Sequence, residues 1–442
     1  MTISLPGLEG VLVTDEATLT DCARDYGRVV YRTPSAVLRP ASVRDVGEAL
    51  RFCCDHGLPV AARGRGHSTA GQAQVESGLV IDMSTLSGIG PVHDGSVRVQ
   101  GGATWRQVLD KTVPLGWSPP VLTGYTGLSV GGTLSMGGIG AASFRHGPQV
   151  DNVLALVVVT GAGELRTCSP SEHPELFSAV LGGVGQYGVI VEATLALTPV
   201  APMARYHLLG YDDAGAFFAD LRTLAAEDRV DGLYGQILPG AQGGWSYLLH
   251  AVQFFSSVPS SDSALLAGLR SAPATRTVME LDTLSFSTVV DEQLEALGLT
   301  HLPRVWRDVF LPGSRIEAFV AEALAELTAE ELGPAGFVLV FPIHNAARPY
   351  ALRLPEEEHI ALFDICSSGS PEDPDYVPTQ LDKARAMYER ARALGGTLYP
   401  IGSTPLTTED WRTHYGPGYQ TLRAAKEDYD PAHILTPGAG IF

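Results

Sequence analysis

Three glycine-rich stretches constrain this chain more than anything else in it: "RGRGHSTAGQA" (63–73), "LSVGGTLSMGGIGAASFRHG" (128–147) and "LGGVGQYG" (181–188). The first follows the strand-like run "LPVAARG" (58–64), where Gly64 and Gly66 can take positive φ and let backbone approach a ligand. Successive backbone amides in such a loop form a concave anion site. The second stretch adds Ser129, Thr133 and Ser135 as hydroxyl donors.

The surroundings read as α+β. "GLVIDMS" (78–84), "SVRVQGG" (96–102), "NVLALVVVTGAGELRTCS" (152–169) and "GVIVEATLALTP" (188–199) are short β-type runs broken by glycine or polar turns. "SVRDVGEALRFCCDHG" (42–57) is a helix with Ser42 as N-cap and Gly57 as stop, and "TWRQVLDKTVPLG" (104–116) is another. The two types alternate without one repeating period, which argues against a regular βαβ array. The texture changes near residue 200. Amphipathic helices over 212–227 and 313–332 then accompany strand-like runs at 233–240, 245–255 and 335–344, the pattern of an antiparallel sheet flanked by helices. "SSGSPEDPDYVPTQ" (367–380) reads as an exposed loop, and the apolar tail ending at Phe442 as a docked terminus. Soft boundaries fall near 200 and 400.

Three readings of the opening loop compete. As a serine-nucleophile turn, Gly66-His67-Ser68-Thr69-Ala70 departs from G-x-S-x-G and runs back to a strand instead of into a helix. A literal G-x-G-x-x-G stands at Gly183, Gly185 and Gly188, but a helix precedes it and a strand follows, the reverse of a dinucleotide fingerprint. The phosphate-cradling reading keeps its strand context. Three such loops together suit a long ligand with a diphosphate at its middle, a description that FAD fits, although tight turns alone account for the same glycines.

Bulk properties exclude several classes. The 442 residues are 45% hydrophobic and 18% charged, enough for two or three domains without staples. A net charge of −19 repels nucleic acid and anionic membranes. Five cysteines, an odd number with no metal spacing, disfavour an oxidised framework and a metal site. The first residues lack a basic start and a sustained apolar stretch, and no apolar run reaches the ~18 residues of a membrane span. A cytoplasmic protein is the expectation.

Taken together, "GRGHSTAGQAQVESGLVIDM", the 128–169 run, "ELFSAVLGGVGQYGVI", "FLPGSRIEAF" (310–319), "TTEDWRTHYG" (407–416) and "YDPAHILTPGAGIF" (429–442) resemble the cytokinin dehydrogenase branch of the vanillyl-alcohol-oxidase-type flavoproteins. The resemblance runs nearly end to end and is strongest over 58–199. It implies a two-domain, PCMH-type fold, with an FAD domain from residues 1–199 and 400–442 and an inserted α+β substrate domain at 200–399. It also implies a covalent bond from His67 to the flavin 8α-methyl. Backbone at Gly64, Arg65, Gly66 and Ser68 would hold the pyrophosphate; Arg63, Gln72, Gly124, Ser129, Ser135, Ile139, Val189, Ile190 and Tyr399 complete the implied cofactor set. Tyr125 stands where some relatives add a cysteinyl link, so one link is expected.

Two departures matter more than the matches. The cytokinin-active pattern has an Asp six residues before the Val of V-G-G and a Glu in the substrate domain. Here those places fall on Gly124 and Tyr234. Amine dehydrogenation needs a group to take the N–H proton, so the cytokinin reaction is not expected on this scaffold. Tyr125 and Tyr234 become the candidate bases or orienting donors, although a phenol of pKa ~10 needs a cationic neighbour to ionise at neutral pH. Arg145 and His146 could bring positive charge to the flavin or serve the fold, while His301, Trp306 and His344 read as structural. The expected activity is an FAD-dependent oxidoreductase with a biosynthetic role, passing hydride from a small organic substrate to covalent flavin, with oxygen or another acceptor reoxidising it. The alternative is a flavin scaffold used for binding or for a non-redox cyclisation. The oligomeric state is not legible.

Overall fold

A computed structural model of the chain describes residues 5, 7–240 and 243–442. Its first layer is a four-stranded sheet in the order Val11–Val13, Ala36–Arg39, Leu79–Asp82, Val60–Arg63. The strands at 36–39 and 60–63 both run parallel to the one at 79–82, and the helix Val43–His56 connects them. That helix begins with a capping box between Ser42 and Asp45 and stops at Gly57 in the left-handed region. A second sheet of five antiparallel strands carries Gly188–Ala196 at its centre.

The third sheet has eight antiparallel strands spanning Met203 to Leu398, in the order 276–282, 203–211, 245–255, 232–239, 337–344, 359–368, 304–312, 397–398. Strand side chains alternate in direction, and here the alternation separates two cores. Val309, Leu311, Phe363, Ile365, Leu233 and Ile237 pack with the helices Ala214–Ala226 and Ile316–Glu326. Phe310, Phe341 and Leu362, on the opposite face, share a core with Val130, Leu134 and Phe177. The sheet therefore turns one face toward the glycine-rich loops.

The C-terminal segment closes the first sheet. Val60 N–H donates to Ile434 O and Thr436 N–H to Val60 O, while buried Lys426 pairs with Asp430 at 2.7 Å and donates to Gln186 O and Leu435 O. The tail is docked, as its apolar residues require.

Two expectations change. Only residues 369–375 form the expected loop at 367–380, because the strand runs through Ser368 and a helix starts at Tyr376. Pro378 lies in that helix's first turn, where no intrahelical N–H bond is lost. The helix expected over 313–332 breaks into Ile316–Glu326 and Ala329–Leu332, because the Thr328 side chain caps the second piece by accepting from Glu331 N–H. All five cysteines are free thiols, and no helix among the described residues is long and apolar enough to cross a membrane.

Candidate active site

The strand Val60–Arg63 ends where the His67 loop begins, and Asp25 shapes that loop. Its carboxylate accepts from Gly71 N–H (2.7 Å), Gly27 N–H (3.1 Å) and Arg28 N–H (3.2 Å). Tyr26 N–H donates to Gly66 O at 2.9 Å, so residues 25–28 and 66–71 are laced together. Gln72 then donates to Pro400 O (3.0 Å) and Gly402 O (3.2 Å), fixing the loop to the segment that follows the eight-stranded sheet. Gly66 has φ +62°, and a Cβ at Gly64 would run into Ser129 Oγ, so neither position accepts a side chain as built.

All three glycine-rich stretches meet at one cleft. Of the expected cofactor residues, Gly64, Arg65, Gly66, His67, Ser68, Gln72, Ser129, Ser135, Val189, Ile190 and Tyr399 line it. Gly101, Gly131, Gly132, Gly185 and Gly188 add bare backbone to its walls. A long, diphosphate-containing cofactor fits such a cradle, since amides and hydroxyls lie exposed where side chains would otherwise fill the space.

Other expected residues lie outside this lining. The Arg63 guanidinium turns away to Arg24 O (3.0 Å), because the loop leaves the strand at that point. Gly124 is exposed, with nothing within 4 Å of a Cβ built there. Ile139 is buried in the core beside Val130 and Leu134. Arg145 is tied to Asp228, Asp231 (3.3 Å) and Val230 O, a link between chain segments that removes it as a charge for the cofactor. His146, half-buried, is pushed below the usual histidine range by burial and by Arg145.

His67 sits in an aromatic nest. Its ring stacks on Tyr26 (centroids 4.0 Å apart, planes 16°) and on Tyr125 (5.0 Å, 28°), and the edge of Trp306 approaches to 6.3 Å. Burial, then the charges of Arg304 and Arg65, push its pKa down to about 3. The imidazole is therefore neutral at physiological pH, the form with a nucleophilic nitrogen. Trp306, expected to be structural, packs its edge against the His67 ring and does not itself line the cleft.

Tyr234 lies on the sheet face turned to the loops, while Leu233 and Gly235 face the helices. It stacks on His250 (4.2 Å, 13°) and Phe341 (5.3 Å). His250 bonds Tyr206 OH through Nδ1 and Gln236 Oε1 through Nε2 (3.2 Å). Burial and the neighbouring Tyr206 raise the Tyr234 phenol well above its ordinary range, which disfavours its ionised form. Motif reading missed Asp308 and Asp364, which face each other across paired strands on the same side of the sheet, 2% and 7% exposed. Asp364 is the one carboxylate in the run HIALFDICSS, a local signal, whereas Asp308 follows Arg304 and Arg307 on its strand and is not marked in that way.

Comparison with known proteins agrees with this geometry. Residues 34–169 match the model of an FAD binding domain, and residues 242–442 that of "Cytokinin dehydrogenase 1, FAD and cytokinin binding". The chain is 35% identical to an uncharacterized oxidoreductase, ORF5 of the fasciation locus of Rhodococcoides fascians, over 98% of this chain and 99% of that one. It is 31% identical to cytokinin dehydrogenase 1 of Arabidopsis thaliana over 98% of this chain and 83% of the relative. The fold is similar to that of 6-hydroxy-D-nicotine oxidase from Arthrobacter nicotinovorans, with a TM-score of 0.76, 24% identity and coverage of 97% and 96%. It is also similar to that of a chitooligosaccharide oxidase, with a TM-score of 0.77, 16% identity and coverage of 97% and 95%. The chain thus belongs to the cytokinin dehydrogenase-like family of FAD-dependent oxidoreductases.

Proposed function

We propose that this FAD-dependent oxidoreductase holds its cofactor covalently through His67 and oxidises a small, largely apolar organic molecule other than an isoprenoid adenine. The observation that carries the reading is the convergence of a neutral, ring-stacked His67 with three glycine-rich walls in one cleft. Bound FAD supplies a two-electron acceptor. Arg65, Gly66 and Ser68 offer backbone amides for its diphosphate, Ser129 and Ser135 offer hydroxyls, and Val189 and Ile190 offer an apolar wall. Residues 1–199 with 400–442 act as the cofactor domain, and residues 200–399 cover the substrate side with the Trp306–Phe310 and Tyr234 face of the sheet.

The departure at Gly124 supports a substrate change. The position faces open space and carries no group able to take a proton. Oxygen or another small acceptor reoxidises the reduced enzyme in this reading. The test is anaerobic mixing of the purified yellow protein with a panel of aromatic and terpenoid alcohols and amines. Bleaching of the flavin absorbance by members of the panel, reversed by air, is the expected result. A cofactor that no member bleaches, yet that light reduces readily, overturns the oxidase reading in favour of a non-redox scaffold.

A further inference from the structure

The two strands Arg304–Pro312 and His359–Ser368 pair so that Asp308 lies directly opposite Asp364. Burial raises both carboxyls above the usual carboxylate range, and the facing Asp308 raises Asp364 further. No donor among the described residues reaches Asp308 Oδ2 or Asp364 Oδ1. Two like charges facing each other across paired strands in a buried site disfavour one another's ionisation, so the pair keeps a proton. The Gly402 backbone crosses so closely over the pair that a Cβ there would run into Asp308 Oδ2.

The position of the pair gives it a role. On its strand Asp308 is bracketed by Trp306, whose edge meets His67, and by Phe310, whose ring lies 5.0 Å from that of Tyr399. His67 and Tyr399 both line the cleft. The pair thus sits on the sheet face that covers the cleft, between its His67 end and its Tyr399 wall. The other carboxylate near the loop at 124–126 is engaged elsewhere: Asp291 accepts from Thr126 N–H (2.9 Å) and Thr126 Oγ1 (2.6 Å).

We propose that the Asp308–Asp364 pair, carrying one proton and one negative charge, is the catalytic proton acceptor of this enzyme, and that its substrate is an apolar molecule bearing a hydroxyl or amine on the carbon oxidised. This rests on the oxidase reading above. The O–H or N–H proton passes to the ionised member of the pair. The electron pair left on oxygen or nitrogen forms the new C=O or C=N bond. The C–H hydrogen leaves with both bonding electrons to the enzyme's two-electron acceptor. The pair, now neutral, returns its extra proton to solvent before the next turnover. Trp306, Phe310, Leu339 and Leu362 give the pair apolar flanks, so a substrate with a single polar group beside the oxidised carbon matches it. Other ionisable groups near this face are Tyr399 and Cys366, both raised by burial and by the pair's own charge, and Arg304, which lies over the Tyr26 ring.

Infrared difference spectra of the FAD-loaded protein across the neutral range test the shared proton. Beyond the bands of Asp25 and Asp151, both raised by burial and removed in Asp25→Asn and Asp151→Asn, one further protonated-carboxyl carbonyl band should titrate in the wild type and vanish in Asp308→Asn and in Asp364→Asn. Survival of that further band in both variants overturns the pair. Stopped-flow bleaching by whichever alcohol or amine of the panel reduces the wild type tests the acceptor role. Either Asn variant should slow it by ~10²-fold or more, with FAD content and photoreduction unchanged. Bleaching at the wild-type rate in Asp308→Asn and Asp364→Asn rejects the proposal, whereas a wild type that no panel member bleaches rejects the oxidase reading instead.

Discussion

The His67 ring lies 4.0 Å from that of Tyr26 with the planes 16° apart, so the proposed flavin-linking nitrogen belongs to an imidazole clamped by a phenol. Acid precipitation of the wild type should leave the yellow colour in the pellet, and His67→Ala should release it to the supernatant. Tyr26→Ala removes the stack and opens His67 to water, raising its pKa from about 3 toward ~6.5. Attachment of FAD added to flavin-free Tyr26→Ala protein should then fail as the pH falls below ~6.5, while the wild type still attaches it there. Equal acid sensitivity in the two proteins would remove the stack from the account.

Asp25 holds the same loop from beneath. It is 5% exposed, and burial pushes its carboxyl up to about 6 from 3.8, against the backbone donors that favour its charge. Between those two values the native state keeps a proton that the unfolded chain releases, so this group's stabilising contribution falls as pH rises from ~4 to ~6 and is flat above. In Asp25→Asn that component is gone. The melting temperature of the wild type minus that of the variant should therefore decrease across this window. A difference that rises with pH across it would show that the backbone donors outweigh burial.

The FAD side of the molecule was legible because its signals are local. Ser42 and Gly57 bound their helix by capping chemistry, and the glycine-rich runs mark turns whatever lies elsewhere. The substrate side was not, because its chemistry is made by register. Asp308 and Asp364 meet only through strand pairing, and Trp306 reaches His67 only when its strand closes on the non-helical segment around Tyr26 and Gly27. Arg63 was misplaced for a related reason. A residue ending a strand beside a phosphate-type loop reads as a ligand contact, but its direction depends on Arg24 and Asp21, which supply carbonyls behind it.

Gly124 has no atom within 4 Å of a built Cβ and does not use positive φ. Asp should therefore be accepted at this exposed position within roughly ±0.5 kcal/mol of wild-type stability. Wild-type protein should oxidise isoprenoid adenines negligibly, because no carboxylate stands there. Gly124→Asp should raise that rate without changing FAD content. Efficient turnover by the unmodified enzyme would mean that the Asp308–Asp364 pair serves such amines as well and that position 124 does not set the substrate.

Tyr234→Phe separates two accounts of proton removal. The phenol is buried against His250 and Phe341, it faces Tyr206, and burial moves it away from ionisation. Its ring stacks on His250, which bonds Tyr206 and Gln236, and that packing survives in the Phe variant. If the carboxyl pair takes the proton, Tyr234→Phe should slow flavin reduction by no more than ~10-fold, below the ~10²–10⁴ of a lost acid–base group, and should act chiefly on the substrate concentration needed. His250→Phe, which breaks the chain while keeping an aromatic stack, should give a similar pattern. A loss of ~10²-fold or more in Tyr234→Phe, with Asp308→Asn unaffected, would transfer the acid–base role to the phenol and leave the carboxyl pair as buried structure.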